Sequence, residues 1–370
     1  MSDKRIIPIV MPKWGLSMSE GKLASWLMKD GDKVKIGDQI LEVETDKIAG
    51  AVEASEAGTL RRRIGQEDTI YPIKTLIGVL ADDDVPDADI EAFVSSYVVP
   101  AAEEGDEEAG PRYEFIDTQA GRLRYTKRGN ADNAAILIHG FGGDLDNWLF
   151  NADALAEGAT VYALDLPGHG QSAKAVGDPT VGGLAKAVLG FMDALKIGKA
   201  HLVGHSLGGA IAMEVARSAK GRVRSVTLIA SAGLGPDINM AYIDGFISSS
   251  SRRDLKPVLE NLFADGALVS RQMVDDLLKY KRLDGVGEAL TALRNGVFPA
   301  GKQAAILADA LKSSGVPALV IWGAEDKIIP AAHAKAASGA KVEIIEGAGH
   351  MVQMEQAGKV NGLIKDTVSR

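Results

Sequence analysis

The sequence predicts a multidomain chain: a small all-β sandwich or flattened barrel, an acidic connecting segment, and an α/β unit on a parallel sheet with a helical lid. Three observations carry this. Residues 1–81 show short Val/Ile/Leu runs broken by Gly-Asp turns, the texture of a small β-unit. Residues 82–110 hold eleven acids and no base, and the segment 82–111 closes on Gly110-Pro111 as linkers do. Residues 112–370 alternate apolar strands with Ala/Gly-rich helical stretches.

The β-unit repeats itself at an offset of 37 residues: Gly21 matches Gly58, Leu23 matches Leu60, Leu27 matches Ile64, Val34 matches Tyr71 and Ile40 matches Ile77. Two copies of a short meander predict two packed sheets with quasi-twofold symmetry. At their junction Glu42-Val43-Glu44-Thr45-Asp46-Lys47-Ile48-Ala49 reads as a hairpin with Asp46-Lys47 at its tip. Inside the acidic segment, residues 90–99 are too apolar for a free tether and predict a short helix. In the last region 134–138, 160–164, 200–203, 316–322 and 341–345 read as strands. Residues 236–310 interrupt that pattern with amphipathic stretches such as 271–280 and read as a lid.

Composition narrows the chemistry. With 370 residues, 46% hydrophobic and 25% charged, the chain is neither disordered nor fibrous. No apolar run is long enough for a membrane span, and no secretory segment opens it, so a cytoplasmic protein is expected. The absence of cysteine excludes disulfides, thiolate metal sites and a cysteine nucleophile. No H-E-x-x-H pair occurs, so no metal is expected. The net charge of −9 belongs to one segment, because the rest holds 39 acids against 41 bases. Arg61-Arg62-Arg63 is the sole basic triplet, which argues against a nucleic-acid surface.

Chemistry enters at Gly204-x-Ser206-x-Gly208, directly after an apolar strand and before an Ala-rich helix. That is the pattern of a serine raised on a strained strand-to-helix turn. Such a serine needs a base, and the base an orienting acid, in the chain order Ser, acid, His. Gly323-Ala324-Glu325-Asp326 follows one later strand and Gly347-Ala348-Gly349-His350 the next, so both side chains would emerge at the edge that carries Ser206. His139, His169 and His205 sit in turns and read as structural.

Two resemblances sharpen this. Met11-Pro12-Lys13-Trp14-Gly15, Asp30-Gly31-Asp32-Lys33-Val34, Gly37-Asp38 and Glu44-Thr45-Asp46-Lys47 together resemble the lipoyl domain of 2-oxo-acid dehydrogenase complexes. The resemblance implies lipoate in amide linkage on Lys47, a cofactor that would supply the thiols the chain lacks. Biotin carriers share that fold but place methionines where Asp46 and Ile48 stand. Residues 112–370 resemble the α/β-hydrolase fold, which implies Ser206 as nucleophile, His350 as general base and Asp326 as its orienter, with Glu325 the neighbouring rival. It also implies an oxyanion hole made by the backbone N–H groups of Phe141 and Leu207.

Taken whole, the chain is similar to the dihydrolipoyllysine acetyltransferase subunits of acetoin dehydrogenase systems. That implies transfer of an acetyl group from the reduced lipoyl arm to coenzyme A. The implied partners are a thiamine-diphosphate-dependent acetoin-cleaving enzyme and an FAD-dependent dihydrolipoyl dehydrogenase. The H-x-x-x-D-G string of pyruvate-type acyltransferases is missing, as is a basic peripheral-subunit-binding domain. An acyl-enzyme on Ser206 follows from the triad, and direct thiol-to-thiol transfer is the other route. Two further readings stand beside transfer: a serine hydrolase (thioesterase or esterase), and a non-catalytic lipoyl carrier with a scaffold domain. A linker of about 30 residues behaving as coil would span roughly 30 Å and hold carrier and site at an effective concentration of order mM.

Overall fold

Two four-stranded antiparallel sheets enclose the core of the first unit in the computed structural model, which describes residues 6–12, 20–45, 49–54, 56–99 and 113–368. The strands are β1 (Ile6–Val10), β2 (Glu20–Trp26), β3 (Lys33–Val34), β4 (Gln39–Glu44), β5 (Ala49–Glu53), β6 (Gly58–Arg63), β7 (Thr69–Pro72) and β8 (Leu76–Ala81). One sheet runs β1-β8-β6-β3 and the other β5-β4-β2-β7. The sequence repeat explains that correspondence: an offset of 37 carries β4 onto β8 and β2 onto β6, and the two orders match place by place. Leu23 and Leu60 are both fully buried, Ile40 and Ile77 nearly so, while Leu27 and Ile64 are both exposed.

β4 and β5 stay in antiparallel register up to the pair Glu44–Ala49, so four residues connect them. Lys47 is among those four. It lies, with Asp46 and Ile48, outside the described residues. Leu41 and Val43 behind it are buried in the sandwich core, which gives the connection a fixed base.

The acidic segment begins as part of the first unit. Helix α1 (Asp87–Ser96) opens after Pro86 with Asp87 and Asp89 in its first turn, where acids favour the helix dipole. Ile90 and Val85 are buried with Ile6, Val79 and Ala81. Its acids meet cations: Asp87 pairs with Arg61 at 2.7 Å, Glu91 with Arg62 at 2.9 Å, and Asp83 with Lys33. The cause is the short β3, which pairs only with Gly58 and Thr59 of β6. The arginine stretch of β6 is left without a strand on that side, and charge blunts an edge that would otherwise invite pairing.

In the second unit, residues 112–370, eight strands form one sheet. They are β9 (Glu114–Thr118), β10 (Gly121–Arg128), β11 (Ala134–Ile138), β12 (Thr160–Leu164), β13 (Ala200–His205), β14 (Val223–Ile229), β15 (Ala318–Gly323) and β16 (Lys341–Ile345), in the order β16-β15-β14-β13-β11-β12-β10-β9. β9 and β10 form an antiparallel hairpin at one edge, and β11 to β16 run parallel. Every residue of β11 and β13 is buried, as strands covered on both faces require.

Helices α2 (Ala152–Leu155), α3 (Val181–Ala194), α4 (Leu207–Ser218), α9 (Ala308–Ser314), α10 (Val352–Glu355) and α11 (Ala357–Val368) cover those faces. α3 and α4 belong to one core layer and α11 to the other. Between β14 and β15 the chain forms α5 (Met240–Ser248), α6 (Arg252–Leu259), α7 (Arg271–Lys281) and α8 (Val286–Val297), the segment expected to form a lid. Among the described residues no helix is long and apolar enough to cross a membrane.

Candidate active site

The turn from β13 into α4 puts Ser206 at φ 54°, ψ −119°, a conformation an L-residue holds only when its surroundings enforce it. Ser206 N–H donates to Ile229 O at 2.9 Å, and its own carbonyl accepts from Gly209 N–H and Ala232 N–H. The flanking glycines are sterically required. A Cβ on Gly204 would lie 2.3 Å from Gly208 O, and one on Gly208 only 2.1 Å from Ile138 O.

Asp326 follows β15 and His350 follows β16, so both stand at the sheet edge that carries Ser206. His350 Nδ1 lies 2.8 Å from Asp326 Oδ2. That oxygen also accepts from Trp322 Nε1 at 2.9 Å, while Oδ1 accepts the N–H groups of Ile328 and Ile329 at 2.8 and 3.0 Å. Four donors thus fix the carboxylate, and the carboxylate in turn assigns the His350 proton to Nδ1, leaving Nε2 as the basic nitrogen. Glu325 does something else: it accepts from Gly347 N–H and Ala348 N–H and shapes the turn leading to His350. The serine turn and the base approach through His205, whose ring centroid is 4.7 Å from that of His350.

Two buried histidines hold the loop around Phe141. His139 Nε2 accepts Leu166 N–H at 3.0 Å, so its protonated Nδ1 donates to Gly140 O at 2.7 Å. His169 Nε2 accepts Gly142 N–H at 3.1 Å, and its Nδ1 donates to Pro167 O. Phe141 is pinned from both sides. Leu207 opens α4, so its N–H is one of the amides that no earlier helical carbonyl can satisfy, at the positive end of the dipole. Behind this loop the buried Asp165 pairs with Arg124 at 2.5 Å and accepts Leu145 N–H and Gln171 N–H.

Burial holds the imidazoles of His139, His169 and His205 below their usual range, and drives His201 down to about 4. Below pH 6.5 the unfolded chain takes up protons that these folded-state rings refuse. Stability present above that pH is therefore lost as pH falls, at up to about 1.4 kcal/mol per pH unit for each ring. The urea midpoint of the second unit is expected to drop steadily from pH 7 to pH 5. A midpoint constant over that range would contradict the neutral assignment.

The segment expected to form a lid is tied to the loops of Asp326 and His350. Met351 N–H donates to Leu262 O at 3.0 Å, and the Glu355 carboxylate accepts both Ala264 N–H and Gly349 N–H at 2.7 Å. Lys327, next to Asp326, donates to Phe263 O at 3.2 Å. On the other side Phe246 of α5 packs over Gly142, where a Cβ would come within 2.5 Å of its ring. Trp322, Lys327 and Glu355 were not singled out from the sequence. Local spacing was their only signal: Trp322 precedes Asp326 by four residues, and Glu355 follows His350 by five.

The alpha/beta hydrolase fold family model matches residues 134–357, and the biotin-requiring enzyme (biotin/lipoyl) model matches residues 7–72. Among solved structures, a meta-cleavage product hydrolase from Pseudomonas fluorescens matches with a TM-score of 0.63 at 24% identity, covering 69% of this chain and 96% of its own. A carboxylesterase from Bacillus subtilis matches with a TM-score of 0.62 at 22% identity, covering 70% of this chain and 92% of its own. These likenesses establish the fold of the second unit. Along the whole chain the similarity is to the dihydrolipoyllysine-residue acetyltransferase component of the acetoin cleaving system. It is 54% identical to that of Cupriavidus necator, covering 97% of this chain and 96% of the relative. To that of Pseudomonas putida it is 46% identical, covering 96% and 97%. With both units matched in one relative, the chain belongs to the dihydrolipoyllysine-residue acetyltransferase family of acetoin-cleaving systems.

Proposed function

We propose that this enzyme moves an acetyl group from a reduced lipoyl arm on Lys47 to coenzyme A, through an acyl-enzyme on Ser206. The observation that carries the reading is the Asp326–His350 pair at the edge that bears Ser206, in a chain whose other unit is a carrier sandwich. Lipoate is the cofactor, and the β4–β5 hairpin suits it: its four-residue connection contains one lysine, on strands whose inner residues are buried. When bound and reduced, the lipoyl group supplies the acetyl thioester.

The residues then act in sequence. His350 Nε2 takes the Ser206 hydroxyl proton as Oγ attacks the acyl carbon, and the N–H groups of Phe141 and Leu207 receive the developing oxyanion. His350 would return the proton to the leaving thiol as the acyl group passes from its sulfur to Oγ. His350 next deprotonates the coenzyme A thiol, which attacks the acyl-serine and regenerates Oγ–H. The Asp326 carboxylate stabilises the imidazolium formed in each half. The reaction is placed in the cytoplasm. Its neighbours in the acetoin-cleaving system are a thiamine-diphosphate-dependent acetoin-cleaving enzyme and an FAD-dependent dihydrolipoyl dehydrogenase.

The test follows the acetyl group on lipoylated protein loaded as its reduced acetyl thioester. Acetyl-coenzyme A should dominate when coenzyme A is present, and the loaded form should persist when it is left out. Acetate forming equally fast in both samples would make the enzyme a tethered hydrolase instead.

A further inference from the structure

We infer that His205 is a positioning residue that ties the base His350 to the nucleophile's own backbone. The inference rests on the triad reading above for what His350 and Ser206 do. Its own support is geometric. His205 Nε2 lies 2.9 Å from the main-chain oxygen of His350, and because a carbonyl can only accept, the ring carries its proton on Nε2. The two rings are also in contact, tilted by 57° at 4.7 Å. Since His205 and Ser206 are joined by one peptide bond, this donor fixes where the base's backbone sits relative to the nucleophile.

Packing does not account for a histidine here. His205 is buried, and its Nδ1 has no hydrogen-bond partner among the described residues, a desolvation cost that a phenylalanine or leucine in the same space would not incur. What the imidazole adds over those side chains is the Nε2–H donor. On either side of His350 the amides are held from elsewhere: Gly349 N–H by Glu355, which also accepts Ala264 N–H, and Met351 N–H by Leu262 O. His205 supplies the matching hold from the serine side. Without it the main chain of the base would lose its one tie to the serine turn, leaving Asp326, the Glu325 turn and the contacts to residues 262–264 to place it, and displacements of an ångström are expensive in proton transfer.

The experiment uses the lipoylated full chain and compares His205→Phe, which keeps an aromatic ring but removes the donor, with His205→Gln, whose amide N–H reaches the ε position. His205→Phe should lower kcat about tenfold or more, with KM within about twofold, and His205→Gln should recover most of the loss. Labelling of Ser206 by a fluorophosphonate should fall and recover in parallel. That reaction needs neither lipoate nor coenzyme A, so it separates failure of this inference from failure of the transfer reading. Wild-type labelling and kcat in a folded His205→Phe would overturn the inference, as would a folded His205→Gln as slow as His205→Phe. If His205→Phe does not fold, His205→Asn takes its place, because the shorter amide cannot reach the carbonyl. It should be slower than His205→Gln by a similar factor, and equal rates would overturn the inference.

Discussion

Ser206→Ala is expected to abolish acyl transfer, lowering kcat by roughly 10⁴-fold or more while lipoylation of the first unit proceeds normally. The size follows from the route. On the proposed route no acyl-enzyme forms without Oγ, and the amides of Phe141 and Leu207, the proposed oxyanion donors, have no attacking group aligned with them. The fold should tolerate the change, because Ser206 makes its structural bonds through the main chain, to Ile229, Gly209 and Ala232. Single-turnover transfer from acetyl-loaded protein is the measurement, with mass spectrometry of the Ser206 peptide at limiting coenzyme A to trap the acetyl group in the parent enzyme. A variant that transfers at the parent rate would mean that the two thiols exchange the acetyl group directly.

Asp326→Asn is the second large effect, a loss in kcat on the order of 10³- to 10⁴-fold. The carboxylate accepts four hydrogen bonds: two amides on Oδ1, and Trp322 Nε1 and His350 Nδ1 on Oδ2. An asparagine has one accepting oxygen and one donating nitrogen. Whichever way it turns, two donors face an NH₂ group. If the oxygen keeps the amides, His350 must present an unprotonated Nδ1 and moves its proton to Nε2, the nitrogen that has to accept from Ser206. If the oxygen keeps Trp322 and His350, the loop at Ile328 and Ile329 loses its acceptor and stability falls. Steady-state kcat beside a melting curve separates the two outcomes. A loss under tenfold would remove Asp326 from the triad and reopen the case for Glu325.

How much of this was legible in the sequence depends on how local each signal is. The strained turn at Ser206 is written within five residues, since Gly204 and Gly208 are there for want of space. The paired sheets of the first unit follow from a repeat, and repeats survive without coordinates. β14 and the β9–β10 hairpin were not read as strands. β14 carries Arg224 and Ser225 near its start, and β9 and β10 lie at a sheet edge where exposed charge interrupts the apolar run. The division of labour between Glu325 and Asp326 depends on which way two adjacent carboxylates turn, and no spacing rule carries that. The bonds from Glu355 to Ala264 and from His205 to His350 span 91 and 145 residues and arise only once the sheet has assembled. The acids of residues 82–91 read as part of a linker because their partners, Lys33, Arg61 and Arg62, lie far away in the chain.

The ties between residues 262–264 and the loops of Asp326 and His350 bear on how this family can be recombined. A cap that merely roofed the serine could be exchanged between relatives as a module, with selectivity travelling alongside it. Here the cap contributes the carbonyls of Leu262 and Phe263 and the amide of Ala264 to the loops that hold the acid and the base. A chimera that takes its cap from a hydrolase of the same fold would inherit a new substrate roof and, with it, a displaced base. Functional grafts would have to carry the 262–264 stretch together with Lys327, Gly349 and Glu355 as a single unit of exchange.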